Sequence, residues 1–439
     1  MRKVLIVSYY FPPYGGGGII RIHNFVKYLP KFDFLPIVLT LKEKYYEKTY
    51  SIPGLLNEYS KEVKIIRTDS FEPKGGELRD KIYGLKRKTF WDRLFLSLMK
   101  NTVNKVLMPD RTILWTPYAL LKGREILIRD GINLIFSTSP PFSSNIIAYL
   151  LHRLTGKPFI LDYRDDWVGN KFYGDSSDYL RFSLEKRLEY ALIKSAAKVI
   201  SSTNESIELF KSKYPDINEN KYQCIPNGYD PEYFKKVYPR NSFKKNPQSQ
   251  PKINFTYTGS LTIKRDPCFF LCAVNELLKE NPSSRDRIRI SFIGFAHYKH
   301  KELVETLGLN DIVSFQENVS PKKVAKFLQE ESNVCLLFQR ESEGGKTAIP
   351  GKLYEYLASE KPILCMDDNG ATTEFLARIG SKLNVNYEDI GKIKQLIKTI
   401  IRNYQELKRS YAWDRGLLEN FDREKQTEKL TQIFNEILG

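Results

Sequence analysis

The chain is poor in cysteine and has no long apolar run. Its five cysteines are an odd number, and Cys268 and Cys272 lack a second cysteine pair or a nearby histidine to complete a zinc site. This usage favours reduced core thiols of a cytosolic protein. The apolar stretch Val4 to Val7 is too short for a secretion signal, and no run reaches the roughly 18 apolar residues that a membrane-spanning helix needs. We therefore expect no resident metal, no secretion, and at most peripheral contact with a membrane.

The chain has fewer acidic residues than basic ones. The 69 Lys and Arg residues against 52 Asp and Glu residues leave a net charge of +17, so the expected partners are anionic: phosphates, nucleic acid or an acidic membrane surface. Hydrophobic residues make up 41% of the chain and aromatic residues 13%, too much apolar surface for a disordered protein. A length of 439 residues predicts two large domains or three small ones.

Strand and helix patterns alternate along both halves of the chain, which predicts two Rossmann-like, doubly wound α/β domains. A polar, lysine-rich stretch interrupts the alternation near its middle. We predict an N-terminal domain over 1–225, a linker over 226–251, a second domain over 252–415 and a terminal helical segment over 416–439. The predicted strands are Val4–Val7, Pro36–Thr40, Val63–Ile66, Leu134–Phe136, Phe159–Leu161, Lys198–Ile200, Ile253–Tyr257, Ile288–Ile293, Ile312–Phe315, Val334–Phe338 and Pro362–Cys365.

Two polar clusters follow predicted strands in the first half. The glycine run that includes Gly16, Gly17 and Gly18 comes after the first strand, where it could let the backbone approach a phosphate or be a turn without a ligand. A dinucleotide fingerprint would need a third glycine where Ile20 stands. The second cluster, with Asp162, Arg164 and Asp165, could orient an acceptor hydroxyl, take its proton or hold a cation. The alternative is an internal Asp–Arg ion pair that fixes the loop.

The second half repeats this arrangement. Gly259 and Ser260 follow a strand and precede two cations, Lys264 and Arg265, before a helix; cations and helix amides suit a diphosphate. A later cluster opens another helix and includes Pro350, Gly351, Lys352 and Glu355. The glutamate, one turn into that helix, could accept hydrogen bonds from a ribose diol. Taken singly, each cluster is equally compatible with a structural role.

Taken in order, these clusters resemble the family 4 glycosyltransferases of the GT-B fold over nearly the whole chain. The matching segments are the Phe11–Arg21 loop, Pro109–Arg111 with Trp115, Phe136–Pro141, Asp162–Trp167, Ile225–Asp230, Tyr257–Leu261, and Lys352–Ala358 running into Lys361–Leu364. The resemblance implies two Rossmann-like domains facing a central cleft, with the C-terminal domain binding a sugar nucleotide, the N-terminal domain receiving the acceptor, and the terminal helix crossing back to the N-terminal domain.

The same resemblance implies roles for single residues. Glu355 would bind the nucleotide ribose, Arg265 with Lys264 or Lys352 would neutralise the diphosphate, and Gly16 to Gly18 would approach it from the other domain. Transfer would retain the anomeric configuration and need no metal or cofactor beyond the nucleoside diphosphate sugar. The chain departs from the family pattern at three positions, listed with what the family has there: Thr347 for the first of two glutamates, Ser260 for an arginine, and a residue of the Asp162–Asp165 run, Arg164 by position, for a histidine.

The resemblance predicts hexosyl transfer to a hydroxyl of a glycan or lipid-linked acceptor in the assembly of a surface polysaccharide or lipopolysaccharide. An inactive relative, a sugar-nucleotide epimerase of the same fold and a basic nucleic-acid-binding protein are the alternatives. Nucleic acid is not expected, because no reading helix, zinc module or aromatic RNA-binding motif is recognisable.

One further segment bears on location. Residues 81–108 have seven basic residues against one acidic residue, with aromatic and aliphatic side chains on one helical face. This pattern predicts either an interfacial helix on the inner face of the cell membrane or a helix whose apolar face is core.

Overall fold

The computed structural model describes residues 1–15, 17–46, 52, 54–72, 107–170, 179–234, 252–262, 265–317, 319–339, 347–411, 413 and 415–439. Gly16, Lys264 and all but the last two residues of 81–108 lie outside this part of the chain. The chain divides into two compact units. The N-terminal unit comprises Met1–Pro226 with Gln426–Gly439, and the C-terminal unit comprises Asn227–Lys425.

The N-terminal unit contains a parallel sheet, which has seven strands among the described residues, in the order β3-β2-β1-β4-β5-β6-β7. Its strands are β1 (Arg2–Val7), β2 (Phe34–Leu41), β3 (Lys64–Thr68), β4 (Leu134–Ser139), β5 (Phe159–Tyr163), β6 (Lys198–Ser201) and β7 (Tyr222–Cys224). Its first five helices are α1 (Gly17–Tyr28), α2 (Thr116–Arg129), α3 (Ser143–Thr155), α4 (Tyr179–Ser195) and α5 (Asn204–Lys213).

The strands of this sheet are apolar along their length because both faces are covered. Val4 and Ile6 of β1 belong to one core cluster, which includes α1 side chains. Leu5 and Val7 belong to another, which includes side chains of α2, α3, α4 and α5. Successive strand residues point to opposite faces, so an uninterrupted apolar run supplies both cores.

The C-terminal unit contains a second parallel sheet, with six described strands in the order β10-β9-β8-β11-β12-β13. Its strands are β8 (Ile253–Thr258), β9 (Ile288–Ile293), β10 (Val313–Gln316), β11 (Val334–Gln339), β12 (Ile363–Asp367) and β13 (Asn384–Val385). Its helices are α6 (Pro231–Phe234), α7 (Cys268–Glu280), α8 (Tyr298–Thr306), α9 (Pro321–Glu330), α10 (Lys352–Ala358), α11 (Ala371–Arg378), α12 (Ile390–Ser410) and α13 (Arg415–Glu419).

The last helix, α14 (Arg423–Leu438), begins in the C-terminal unit and continues in the N-terminal unit. Leu430, Ile433 and Phe434 are buried in the same core cluster as α1. The Phe434 ring packs edge-on against Phe34, with 5.3 Å between ring centroids. These contacts explain why the apolar residues of this segment recur at helical spacing.

The two sheets share one order of strands around their first strand, which lies between later strands on either side. This order creates a switch point at the carboxyl edge of each sheet, where α/β proteins bind ligands. None of the described helices is both long enough and apolar enough to cross a membrane.

Candidate functional site

The carboxyl end of β8 provides a backbone turn that Lys352 packs against. Gly259 follows the strand with φ of +104°, a conformation that disfavours residues with a side chain. Its N–H donates to the carbonyl of Ile293 at the end of β9 (2.7 Å). A Cβ at Gly259 would lie 3.0 Å from Nζ of Lys352. Glycine is therefore needed both for the turn and for the close approach of the lysine.

The amino group of Lys352 is buried and has no hydrogen-bond partner among the described residues. Its Nζ lies 3.6 Å from the centroid of the Tyr257 ring, a cation–π arrangement. Burial holds the pKa of Lys352 well below its usual value, and the nearby Arg265 guanidinium lowers it further. The Glu355 carboxyl group opposes this lowering. A buried amino group without a hydrogen-bond partner is energetically costly, and an anion bound here would supply that partner and favour the charged form of the lysine.

Glu355 lies one turn after Lys352 on α10, and its carboxylate accepts no hydrogen bond from the described part of the chain. Burial raises its pKa to about 7, while Lys352 and Arg423 oppose that rise. Arg423 is itself buried and donates to Oδ1 of Asn227 (3.3 Å). Near neutral pH, Glu355 thus exchanges between a proton donor and an acceptor with two oxygens available.

The other predicted residues of the C-terminal unit lie around this pair. Arg265 is exposed, and its guanidinium opposes the rise that burial causes in the pKa of Tyr257. The carbonyl of Ser260 accepts a hydrogen bond from the Tyr257 hydroxyl (3.2 Å). Pro350 and Gly351 directly precede α10, and their carbonyls accept from the N–H groups of Leu353 and Tyr354 in its first turn. The structure thus brings Gly259, Ser260, Arg265, Lys352 and Glu355 to one edge of the second sheet.

In the N-terminal unit, Asp162 is the buried acceptor of an arginine. Arg21 of α1 donates through Nη2 to Oδ1 (2.7 Å) and through Nε to both carboxylate oxygens at 3.1 Å. Thr138 donates to Oδ2 (2.8 Å). Arg21 also donates to the carbonyls of Ile225 and Pro226. Asp162 therefore ties β5 to α1 and to the end of the unit, which is a positioning role; direct catalysis by Asp162 stays a prediction.

Arg164 contacts both the glycine loop and the end of β4. Its guanidinium donates to the carbonyls of Ser139 (3.1 Å), Gly18 and Pro140. A Cβ on Gly18 would overlap that guanidinium. Asp165, the next residue, is partly buried. The structure thus joins Gly18, Arg164 and Asp165 at the carboxyl edge of the first sheet, and their catalytic roles stay predictions.

Three residues that shape these clusters were missed by sequence reasoning. Arg21 is a charged residue among the apolar positions of α1, which is a weak signal that it is paired. Tyr257 lies within an apolar strand, and nothing in the sequence indicates that its ring lies under an amino group. Arg423 is distant from Glu355 along the chain, and no local pattern connects them.

Comparison with known proteins relates the second half of the chain to one family and the whole chain to one fold. Residues 239–412 match the family described as glycosyl transferases group 1, whereas no curated protein matches the chain. The solved structures with a similar fold include a sucrose-phosphate synthase from Thermosynechococcus elongatus, with a TM-score of 0.68, 14% identity, and coverage of 100% of this chain and 99% of that one.

Two others are similar to nearly the same extent. The Anabaena protein HepE, solved in complex with UDP, has a TM-score of 0.65 and 12% identity, and the match covers 99% of this chain and 100% of that one. A glycosyltransferase from Rickettsia africae has a TM-score of 0.62 and 15% identity, with coverage of 100% and 99%. The predicted resemblance is confirmed for the fold, which is the GT-B fold of these structures, and for residues 239–412, which match the glycosyl transferases group 1 family; family 4 stays a prediction.

Proposed function

We propose that the protein transfers a hexosyl group, with retention of anomeric configuration, from a nucleoside diphosphate donor to a hydroxyl of a glycan or lipid-linked acceptor. The proposed setting is the assembly of a surface polysaccharide or lipopolysaccharide at the inner face of the cell membrane. One observation carries the proposal: the Lys352 amino group is buried without a hydrogen-bond partner among the described residues, next to the turn at Gly259 and one helix turn before the Glu355 carboxyl group.

The diphosphate is the anion that this site suits. Lys352 is pre-positioned over the Tyr257 ring, and Arg265 adds a second, exposed cation. When the bond between the sugar and the diphosphate breaks, negative charge grows on the departing phosphate. Cations already in place stabilise that charge without reorganisation. Transfer without a metal is part of the proposal for this reason.

The nucleoside is held through its ribose. A carboxylate with both oxygens available accepts from the two vicinal hydroxyls, and Glu355 has this arrangement. Because its pKa is raised to about 7, we expect this contact to strengthen as the pH rises from 6 to 8.

In the N-terminal unit, the acceptor-side groups of the proposal are Arg164 and Asp165, with Asp162 positioning the segment between them and α1. The carboxyl group of Asp165 is proposed to orient the acceptor hydroxyl by accepting its hydrogen bond. Gly17 and Gly18, which begin α1, are proposed as donor-binding residues.

A thermal-shift screen against nucleoside diphosphates and their sugar conjugates tests the donor site. A ligand that binds the native state at a hundred times its dissociation constant stabilises it by about 2.7 kcal/mol. We expect a base-selective shift in the wild type that is lost in Lys352→Met. The matched control is Lys361→Met, because Lys361 is also buried and its pKa is also lowered by burial, but it precedes β12 at the opposite edge of the sheet.

The outcomes separate the functions. A shift retained in Lys352→Met would remove this lysine from the site. Nucleotide-sugar turnover that needs no acceptor would favour the epimerase reaction. Binding of RNA or DNA that falls steeply with salt, without any nucleotide shift, would favour the polyanion binder.

A further inference from the structure

Exposed apolar side chains are concentrated on three helices of the N-terminal unit. Nine large hydrophobic side chains are exposed in the described part of the chain, and six of them lie on α2, α3 and α4. A seventh, Phe71, packs against Tyr118 of α2, with ring centroids 4.9 Å apart. The six are Leu121, Ile128, Leu154, Tyr179, Leu180 and Leu184. Single exposed leucines need no explanation, but this concentration does.

The three helices form one layer. Their inward side chains all belong to the core cluster that covers one face of the first sheet, and α3 packs against both α2 and α4. Leu121 and Ile128 are seven residues apart on α2, and Leu180 and Leu184 are four apart on α4, so each pair shares one helix face. Leu121 is 76% exposed and Leu180 is 71% exposed. The apolar residues therefore lie on the outer side of a single layer, called here the α2–α4 surface.

The charge of the α2–α4 surface is strongly positive. Six exposed Lys and Arg residues lie on the three helices, against one exposed acidic residue, Glu125: Arg124, Arg129, Arg153, Lys186, Arg187 and Lys194. Glu125 is already paired with Lys122 (2.7 Å) and Arg129 (3.0 Å). The two acidic residues of α4, Glu185 and Glu189, are buried. The surface thus presents cations interleaved with apolar side chains.

We propose that the α2–α4 surface binds an anionic lipid bilayer. Apolar side chains that insert between acyl chains, surrounded by cations that pair with headgroups, are the chemistry of interfacial binding. A second copy of the chain fits less well on this surface. If the same surface of both copies met, the six cations of one copy would face the six cations of the other. The proposal rests on the membrane setting of the proposed function and names the surface that makes the contact, and binding to vesicles can be measured without donor or acceptor.

Co-sedimentation of the full chain with vesicles tests the proposal. The vesicles are phosphatidylcholine alone and phosphatidylcholine with 30% phosphatidylglycerol. We expect binding to the anionic vesicles only. Each Lys or Arg near an anionic surface contributes about fivefold in binding, equivalent to about 1 kcal/mol, so Arg124→Glu with Arg187→Glu should lower binding at least 25-fold. Leu121→Asp with Leu180→Asp should lower it by more than tenfold.

Matched controls lie in the C-terminal unit. Tyr298→Asp removes another exposed apolar side chain, 60% exposed, and Lys322→Glu with Lys323→Glu reverses two other exposed cations; these variants should bind vesicles like the wild type. Equal binding by the α2–α4 variants would overturn the proposal, as would absence of wild-type binding to anionic vesicles. A dimer in solution that Leu121→Asp dissociates would also overturn it, in favour of a second copy as the occupant.

Nucleotide-induced thermal shifts, measured on the same variants, keep this test separate from the proposed function. Loss of vesicle binding with an unchanged nucleotide shift supports the surface and shows that the variant is folded. Vesicle binding without any nucleotide shift would refute the donor site and leave the surface supported.

Discussion

The buried pair of Arg21 and Asp162 gives the sharpest test of the N-terminal unit. Asp162 accepts three contacts from Arg21 and one from Thr138, all between 2.7 and 3.1 Å. Both side chains of the ion pair are at most 1% exposed. Asp162→Ala leaves the guanidinium buried with carbonyls alone as partners, and removing one member of a buried pair costs about 3–5 kcal/mol. We expect this loss to appear in the unfolding free energy of the N-terminal unit.

A double-mutant cycle resolves the interaction itself. Arg21→Met removes the other charge, and in the double variant neither charge is left uncompensated. Side chains in direct contact couple by about 0.5–3 kcal/mol, so the double variant should be clearly more stable than the sum of the single losses predicts. Asp216→Ala is the control, because Asp216 lies on the surface with its side chain 56% exposed and 3.9 Å from Lys194; such a change is worth under about 1 kcal/mol.

The assay is chemical denaturation followed by tryptophan fluorescence. Trp115 and Trp167 are buried in the core of the N-terminal unit, whereas Trp413 is in the core of the C-terminal unit. Measurement in a Trp413→Phe background weights the signal toward the N-terminal unit, which matters because two units need not unfold in one transition.

The refuting result is specific. If Asp162→Ala unfolds at the same denaturant concentration as the wild type but loses transfer activity by more than a hundredfold, the positioning role is wrong and Asp162 acts on the substrate. A loss of stability with the remaining folded protein active would support positioning.

Three further predictions concern single residues. Because the pKa of Glu355 is raised from 4.5 to about 7, its contribution to stability is full below about pH 4.5 and is lost as the pH rises through about 7, by about 3 kcal/mol; Glu355→Gln should flatten this part of the stability curve, and an unchanged curve from pH 5 to 8 would contradict the assignment. Gly18→Ala should displace the Arg164 guanidinium and lower turnover at least tenfold, measured as kcat; wild-type kcat would show that the loop accommodates a methyl group. Lys352→Met should raise the melting temperature in the absence of ligand, because it removes a buried amino group that costs about 1–3 kcal/mol, and a lowered melting temperature would show that the amine has a partner.

Much of the fold follows from local pattern. Apolar runs predicted eleven strands, and all eleven are present with ends that differ by a few residues. The two strands that the pattern did not indicate, β7 and β13, have three and two residues. Both lie at sheet edges, where burial on two faces is not required and the apolar signal is weak. The long helix α12 was also not singled out, although its apolar positions are buried.

The clusters of the candidate site were predictable in place but not in detail. Glycines and polar residues after strands mark the carboxyl edge of a parallel sheet, because connections of one hand bring these ends together. That reasoning placed Gly18, Arg164, Gly259 and Lys352 at sheet edges. It did not distinguish a residue that faces a ligand from one that supports the fold, since both types follow strands.

By itself, the sequence determined the two α/β units, the terminal helix and the positions of the polar loops, because these depend on periodicity and on residues close together in the chain. Only the tertiary structure decided that Asp162 forms an ion pair with Arg21. It also decided that the Lys352 amino group lies above the Tyr257 ring, without a hydrogen-bond partner among the described residues. Both outcomes depend on which groups meet across long stretches of chain and on how much water they lose. Desolvation sets the charge and the pKa of a buried group, and no local pattern of residues records it.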